Sequence, residues 1–461
     1  MLKTTLLTIL IIFVEFSYSM LNSVLGIPRY GVLQDLSESM YKDNKSLLTT
    51  RVEIITGVVA FVVSLICILC KLTKENVLYY KATLLLFPIL GAIVSALTLN
   101  LLIDFQKTLT TPWVYVLAIA PSFTGESFLF ETCVSDIIAL IVKDKQQRVS
   151  LFLWVKGGKL AGICFTQIVL PLLKVSETDM FEIVAPIVCT FLTIAGSSLT
   201  LVVMFMAENE ETTASAQEQE QEQELKQLND EEFQQKLEEI THFVDDDDDD
   251  NNSIYDGKVL SNLRLLWQFV KSFNRYHVIL CAMIMFHSAQ RGEYKFTYLF
   301  LADNLNFKPR FIRIINGSQY LLFTVSVYVM GFVIRHTKHT HVTLIAFIVS
   351  MLFSTAARIC QVVSWDIDNF MVWCASALLS TPGPLAYQVM QQVMYKKLYN
   401  QQLVGIILLS VDKFLSIPII QLYQITYQDL QISPFYVTLT LMLLTTVSGL
   451  STKTMRTWLN S

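Results

Sequence analysis

ENEETTASAQEQEQEQE at residues 208–224, followed by an unbroken DDDDDD at 245–250, is the stretch on which the reading of this chain turns. The segment 207–263 is dense in Glu, Gln and Asp. It holds too few apolar residues to offset the entropy of ordering, so it is expected to be a disordered, solvated linker. Contiguous aspartates without a glycine-punctuated loop make poor calcium ligands, so the run is not read as a metal site. On either side the character reverses. The 461 residues are 53% hydrophobic and only 16% charged, with a mean hydropathy of +0.49. Soluble proteins carry about a quarter charged residues, and here the apolar residues come in long blocks. The chain is therefore a polytopic membrane protein. Its net charge of -5 comes from the acidic segment, and the remainder is basic. A soluble enzyme, a secreted disulfide scaffold and a nucleic-acid binder are excluded by composition. No phosphate-cradling loop, Ser-His-Asp set or metal-ligand spacing occurs, so no enzyme activity and no cofactor are expected. The 8 cysteines all lie in or beside apolar blocks, Cys67-x-x-Cys70 included, and define no disulfide framework.

A helix needs about 20 apolar residues to cross the hydrocarbon. With that ruler the chain contains about twelve spans. Six precede the linker: Thr4–Val24, Ile54–Cys70, Tyr79–Ile103, Trp113–Ile141, Val149–Leu173 and Met180–Met206. Six follow it: Val278–Leu301, Phe311–Ile334, Val342–Val363, Phe370–Val393, Val404–Tyr427 and Pro434–Leu450. The expected organisation is a six-helix half over 1–206, the linker over 207–263 and a second six-helix half over 264–461. Basic residues such as Lys143, Lys145, Arg148, Arg335, Lys338, Lys396 and Lys397 gather on one side, which places both termini in the cytoplasm. Asn44-Lys45-Ser46 is a glycosylation sequon that this topology puts outside. Asn251-Asn252-Ser253 is one that it puts inside and leaves bare. An all-α membrane protein of two six-helix halves resembles the major facilitator plan, with a central cavity between the halves.

A charge near the bilayer centre costs on the order of 3 kcal/mol, so each one inside a span is a candidate functional residue. The seventh span carries His287, Arg291, Glu293 and Lys295. His287, Arg291 and Lys295 stand at i, i+4, i+8, a basic stripe on one face with Tyr294 beside it. Such a stripe attracts an anion, or else anchors the span end at the interface. The fourth span carries Glu126, Glu131 and Asp136, spaced so that they walk around the helix. Glu126 or Glu131 would carry a coupling proton, or would be a counter-ion to Lys156 and Lys159 of the fifth span. Gly157-Gly158 between those lysines permits close helix approach. Glu15 and Asp412 are lone charges in the first and eleventh spans. Arg358 is expected to snorkel from the ninth. Pro382-Gly383-Pro384 breaks the tenth.

Phe123-Thr-Gly-Glu-Ser-Phe-Leu-Phe-Glu-Thr-Cys133-Val-Ser-Asp136, the basic loop Lys143–Arg148, Leu160-Ala161-Gly162 and Ser380-Thr381-Pro382 resemble the proton-coupled folate transporter family, solute carrier family 46. The resemblance implies the major facilitator fold and secondary active, proton-coupled transport of an organic anion of folate-like, muropeptide-like or cyclic-dinucleotide-like kind. It also implies a glycosylated plasma-membrane or endolysosomal protein. The departures fall on the coupling residues. The family's fourth-helix aspartate aligns with Ala139, with Asp136 one turn earlier as a substitute. Its fifth-helix glutamate aligns near Val155, and its tenth-helix arginine near Tyr387 or Gln388. Lys71–Asn76 stands where the superfamily has an Asp-x-x-Gly-Arg loop. The alternative is a transport-silent receptor or scaffold on the same fold.

Overall fold

The computed structural model describes residues 2–41, 47–71, 77–105, 108, 110–142, 145–175, 180–205, 297, 300–336, 340–385, 415, 417–429 and 433–451. The acidic linker, both sequons, the stripe residues His287, Arg291, Glu293, Tyr294 and Lys295, and Asp412 lie outside them.

The described residues are helical, with no strand among them. The first 205 residues form α1 (Leu2–Tyr41), α2 (Leu47–Lys71), α3 (Val77–Asp104), α4 (Thr111–Ile119), α5 (Glu126–Ile141), α6 (Lys145–Cys164) and α7 (Glu182–Phe205). A π-turn, Phe165–Val169, carries α6 on into Leu170–Leu172. After the linker come α8 (Pro309–His336), α9 (Thr340–Ile367), α10 (Phe370–Leu379), α11 over 417–424 with its π-turn Ile425–Asp429, and α12 (Phe435–Ser451). Seven stretches of the described residues are long and apolar enough to cross a membrane. The protein is an integral, multi-pass membrane protein.

Two spans differ from the sequence expectation. The first does not stop at Val24. α1 runs 40 residues, about 60 Å at 1.5 Å per residue, twice the roughly 30 Å of hydrocarbon. The helix continues through Gly26, Pro28 and Gly31, residues of low helix propensity, because tertiary packing outweighs that propensity. Leu33 and Leu36 are buried with Leu48, Val52, Leu102, Val114 and Ala118, and the Leu48 N–H donates to the Ser37 hydroxyl at 3.2 Å. The second difference is the fourth span, which is not one helix. Pro121 removes a backbone donor, and Ala120–Thr124 tightens into a 3₁₀ turn. Gly125 then takes φ 78, the left-handed conformation that glycine adopts without a Cβ penalty. The freed carbonyls find side-chain donors. Ser122 Oγ donates to Ile119 O at 2.5 Å, Thr124 Oγ1 to Pro121 O at 2.7 Å, and the Arg29 guanidinium of α1 to Ala118 O. Broken backbone at membrane depth survives where protein satisfies it in this way.

Without water to drive apolar association, spans pack through close van der Waals contact and small residues. α6 is the helix that uses this most. On one side Gly158 meets α1, where an added Cβ would stand 3.0 Å from the Ile12 carbonyl oxygen. Gly162 lies against the Phe16 carbonyl still more tightly. On the other side α6 packs on α8. There a Cβ on Gly157 would fall 2.7 Å from the Tyr328 ring, one on Gly331 2.8 Å from Trp154, and one on Gly317 3.0 Å from Gln167. Ser150 Oγ donates to Gly331 O at 3.0 Å, and the Arg335 guanidinium lies 5.1 Å over the Trp154 ring. A second tie runs between α2 and α11, where Thr50 Oγ1 donates to Gln424 Oε1 at 3.0 Å.

The tenth span breaks where its Pro-Gly-Pro predicts, α10 ending at Leu379. Ser350 of α9 donates to the freed carbonyls of Pro382 (2.5 Å) and Gly383 (3.1 Å). Arg358 of α9 does not snorkel. It is buried and donates to Gln361 Oε1 one turn on, because Ser350, Ser354, Arg358 and Gln361 form a buried polar stripe at i, i+4, i+8 and i+11.

Candidate functional site

Three helices converge on one group of charges. α1 and α6 are brought together by Gly158 and Gly162. α1 and α5 are tied by Tyr18 and Phe130, stacked at 4.0 Å with planes 10° apart. Glu15 sits nearly one turn before Tyr18, Glu131 immediately follows Phe130, and Lys159 immediately follows Gly158. Glu15, Glu131 and Lys159 therefore meet at the junction of the three helices, with Lys156 one turn away. Lys159 Nζ donates to Glu131 Oε1, and Lys156 Nζ stands 3.6 Å from the other carboxylate oxygen. The Glu15 carboxylate is within electrostatic reach of all three. It is 4% exposed, and its Oε2 has no hydrogen-bond partner among the described residues.

The group is charge-balanced, with two lysines against two carboxylates. It is not sealed. The side chains of Lys156, Glu131 and Lys159 keep 17%, 18% and 24% of their surface, while Glu15 lies behind them. Charges at mid-span that retain surface line a wet space or a ligand site rather than a dry core.

Of the residues singled out in sequence, the structure brings together Glu15, Glu131, Lys156 and Lys159. Glu131 is the counter-ion of both lysines. Glu126 and Asp136 are described by backbone alone, Glu126 opening the first turn of α5 beyond the Gly125 bend. Val155, where the resembled family has a glutamate, is buried in the apolar core.

Sequence reasoning passed over several buried polar residues, of which three lie at the α6–α8 seam. Arg313 and Asn316 of α8 are 7% and 4% exposed, and Gln167, in the π-turn of α6, is 3%. The signal for Arg313 was present, since it falls two residues inside the apolar block that begins at Phe311. Nothing in the sequence announced the π-turn that displaces Gln167 and packs it against Gly317.

No protein-family model matches the chain, and no curated protein matches it in sequence. Solved structures do match in shape. A bacterial homologue of the iron transporter ferroportin, in an outward-facing state, aligns with TM-score 0.61 at 11% identity, over 95% of this chain and 98% of that one. The proton:xylose symporter XylE gives TM-score 0.61 at 10% identity, over 96% and 94%. The E. coli fucose:proton symporter FucP gives 0.52 at 10% identity, over 97% and 98%. The chain has the major facilitator fold.

Proposed function

We propose that the protein is a secondary active transporter that moves an organic anion by alternating access, with protons as the coupling ion. The observation that carries this reading is the balanced Glu15–Glu131–Lys156–Lys159 group inside a major facilitator bundle. An anion arriving at Lys156 and Lys159 competes with Glu131 for the same ammonium groups, and the displaced carboxylate leaves the site one negative charge in excess. A proton taken up on Glu131 or Glu15 restores neutrality, so each substrate charge brings a proton with it. Glu15, whose Oε2 has no hydrogen-bond partner among the described residues, is the better proton carrier. The resemblance to solute carrier family 46 supplies the substrate class: folate-like, muropeptide-like or cyclic-dinucleotide-like anions. On this reading both termini are cytoplasmic, and the seventh-span stripe of His287, Arg291 and Lys295 with Tyr294 adds cationic wall from the second half. Glu126, Asp136, Glu293 and Asp412 are the remaining carboxylates open to protonation. The membrane is the plasma membrane or that of endolysosomes.

The test is flux in proteoliposomes loaded at pH 7.5 and diluted to pH 5.5, with radiolabelled anions of the three kinds. Saturable, pH-driven accumulation of one of them is expected. Glu15→Gln should retain exchange of labelled for unlabelled solute while losing the pH drive. The burial of Val155, where the resembled family keeps a glutamate, favours a second reading, a receptor that has lost coupling. Saturable binding without flux for any anion would establish that reading and sink the first.

A further inference from the structure

Lys156 and Gln167 are eleven residues apart on α6. Eleven residues bring an α-helix back to the same face within about 20° and some 16 Å further along, and the π-turn alters that by a fraction of a turn. Gln167 thus lies above Lys156 on the same side of the helix. The chain there is held against α8 at Gly317, where an added Cβ would stand 3.0 Å from Gln167. Arg313 is one turn from Gly317 on the same face of α8, and Asn316 is its neighbour in sequence. Arg313, Asn316 and the π-turn that carries Gln167 are thus placed at the same end of the α6–α8 seam, where α6 finishes and α8 begins. Each of the three side chains is more than nine-tenths buried. π-turns that interrupt a helix are frequent at functional sites, and a buried guanidinium recognises carboxylate, sulfonate or phosphate through its planar fork.

We infer that Arg313, Asn316 and Gln167 form a second anion subsite, distinct from the lysine pair and roughly 12–16 Å beyond it along α6. This deepens the transport reading and rests on it: an anion enters from the side where α8 begins, the exterior on the proposed orientation. It is held first by Arg313 and the two carboxamides and is then passed inward to Lys156 and Lys159. The subsite is covered in this structure and is exposed when the bundle opens on that side.

Thiol labelling tests this without any need for transport. Gln167→Cys and Asn316→Cys are placed singly in a cysteine-free background and expressed at the surface of intact cells. Each is treated with sulfonatoethyl or trimethylammonioethyl methanethiosulfonate, and each rate is divided by that reagent's rate on free cysteine. The normalised rate for the anionic reagent should exceed that for the cationic one by about tenfold, the lower end of electrostatic focusing in a charged cleft. Arg313→Gln should bring the ratio near unity, and Arg313→Lys should largely preserve it. Should Arg313→Gln fail to reach the surface, the ratio at both cysteines and its retention in Arg313→Lys still decide the matter. No labelling of surface-resident protein at either position would overturn the inference, leaving a polar network that only holds the seam. Labelling with no charge preference would overturn it as well. Because the readout is chemical, absence of flux with a clear anion preference would count against transport and not against the subsite.

Discussion

Tyr18 and Phe130 lie face to face, ring centroids 4.0 Å apart and planes 10° from parallel, and both are buried. The stack joins α1 to α5 and sets Glu15 beside Glu131, so an aromatic contact fixes the spacing of two carboxylates.

Replacing Phe130 by alanine removes the stack and leaves a cavity in a close-packed core. The expected loss is about 3 kcal/mol, in line with buried aromatic truncations, read as a lower melting temperature of the detergent-purified protein. Phe130→Leu should lose less than half as much. Wild-type melting in Phe130→Ala would mean that the stack does not hold α1 to α5.

Glycines on α1 and α6 are not equivalent. Gly162→Val drives a side chain into the Phe16 carbonyl, whereas nothing lies within 4 Å of a Cβ on Gly26. Gly162→Val should abolish surface expression, while Gly26→Val leaves it near wild type. Equal expression of the two would show that α1 and α6 can separate without consequence.

Breaking one partner of a buried pair leaves an uncompensated charge, at a cost of roughly 3 kcal/mol or more, less here because the pair keeps part of its surface. Lys159→Gln and Glu131→Gln should each lower yield and thermal stability. The double substitution should recover much of the loss, since it leaves no charge of the pair behind. Uptake should not recover in the double variant. Additive loss of stability in the double would show the pair to be uncoupled.

Asn44 should carry a glycan and Asn251 should not, because the proposed topology puts them on opposite sides of the membrane. In animal cells Asn44→Gln should run several kilodaltons lighter than wild type, and Asn251→Gln should run unchanged. The reverse pattern would invert the orientation and move the second anion subsite to the cytoplasmic face.

The membrane character, the positions of most spans and the break at Pro382 were legible in the residues alone. Hydrocarbon imposes its rule locally: a segment either has about 20 apolar residues or does not cross. Proline and glycine likewise act on their own backbone. The interior charges were legible for the same reason, since an ionised group in an apolar run stands out against its neighbours. Which of them meet was not. Glu126 and Glu131 stand five residues apart on α5, and the packing of α5 on α3 and α6, with the Tyr18–Phe130 stack and the Gly158–Gly162 seam, decides that Glu131 meets both lysines. The continuation of α1 through Gly26, Pro28 and Gly31 needed partners from α2, α3 and α4 to outweigh local propensity. So did the break ahead of Gly125, where the Ala118 carbonyl is answered by Arg29 from 89 residues earlier. Arg358 looked like a snorkelling side chain because sequence gives depth but not azimuth. The packing of α9 turns it inward, where its guanidinium donates to Gln361. Span identity is a property of a segment and its solvent, and the residues of that segment suffice to fix it. A site made by three helices depends on their relative rotation and approach, which contacts distant in sequence set together.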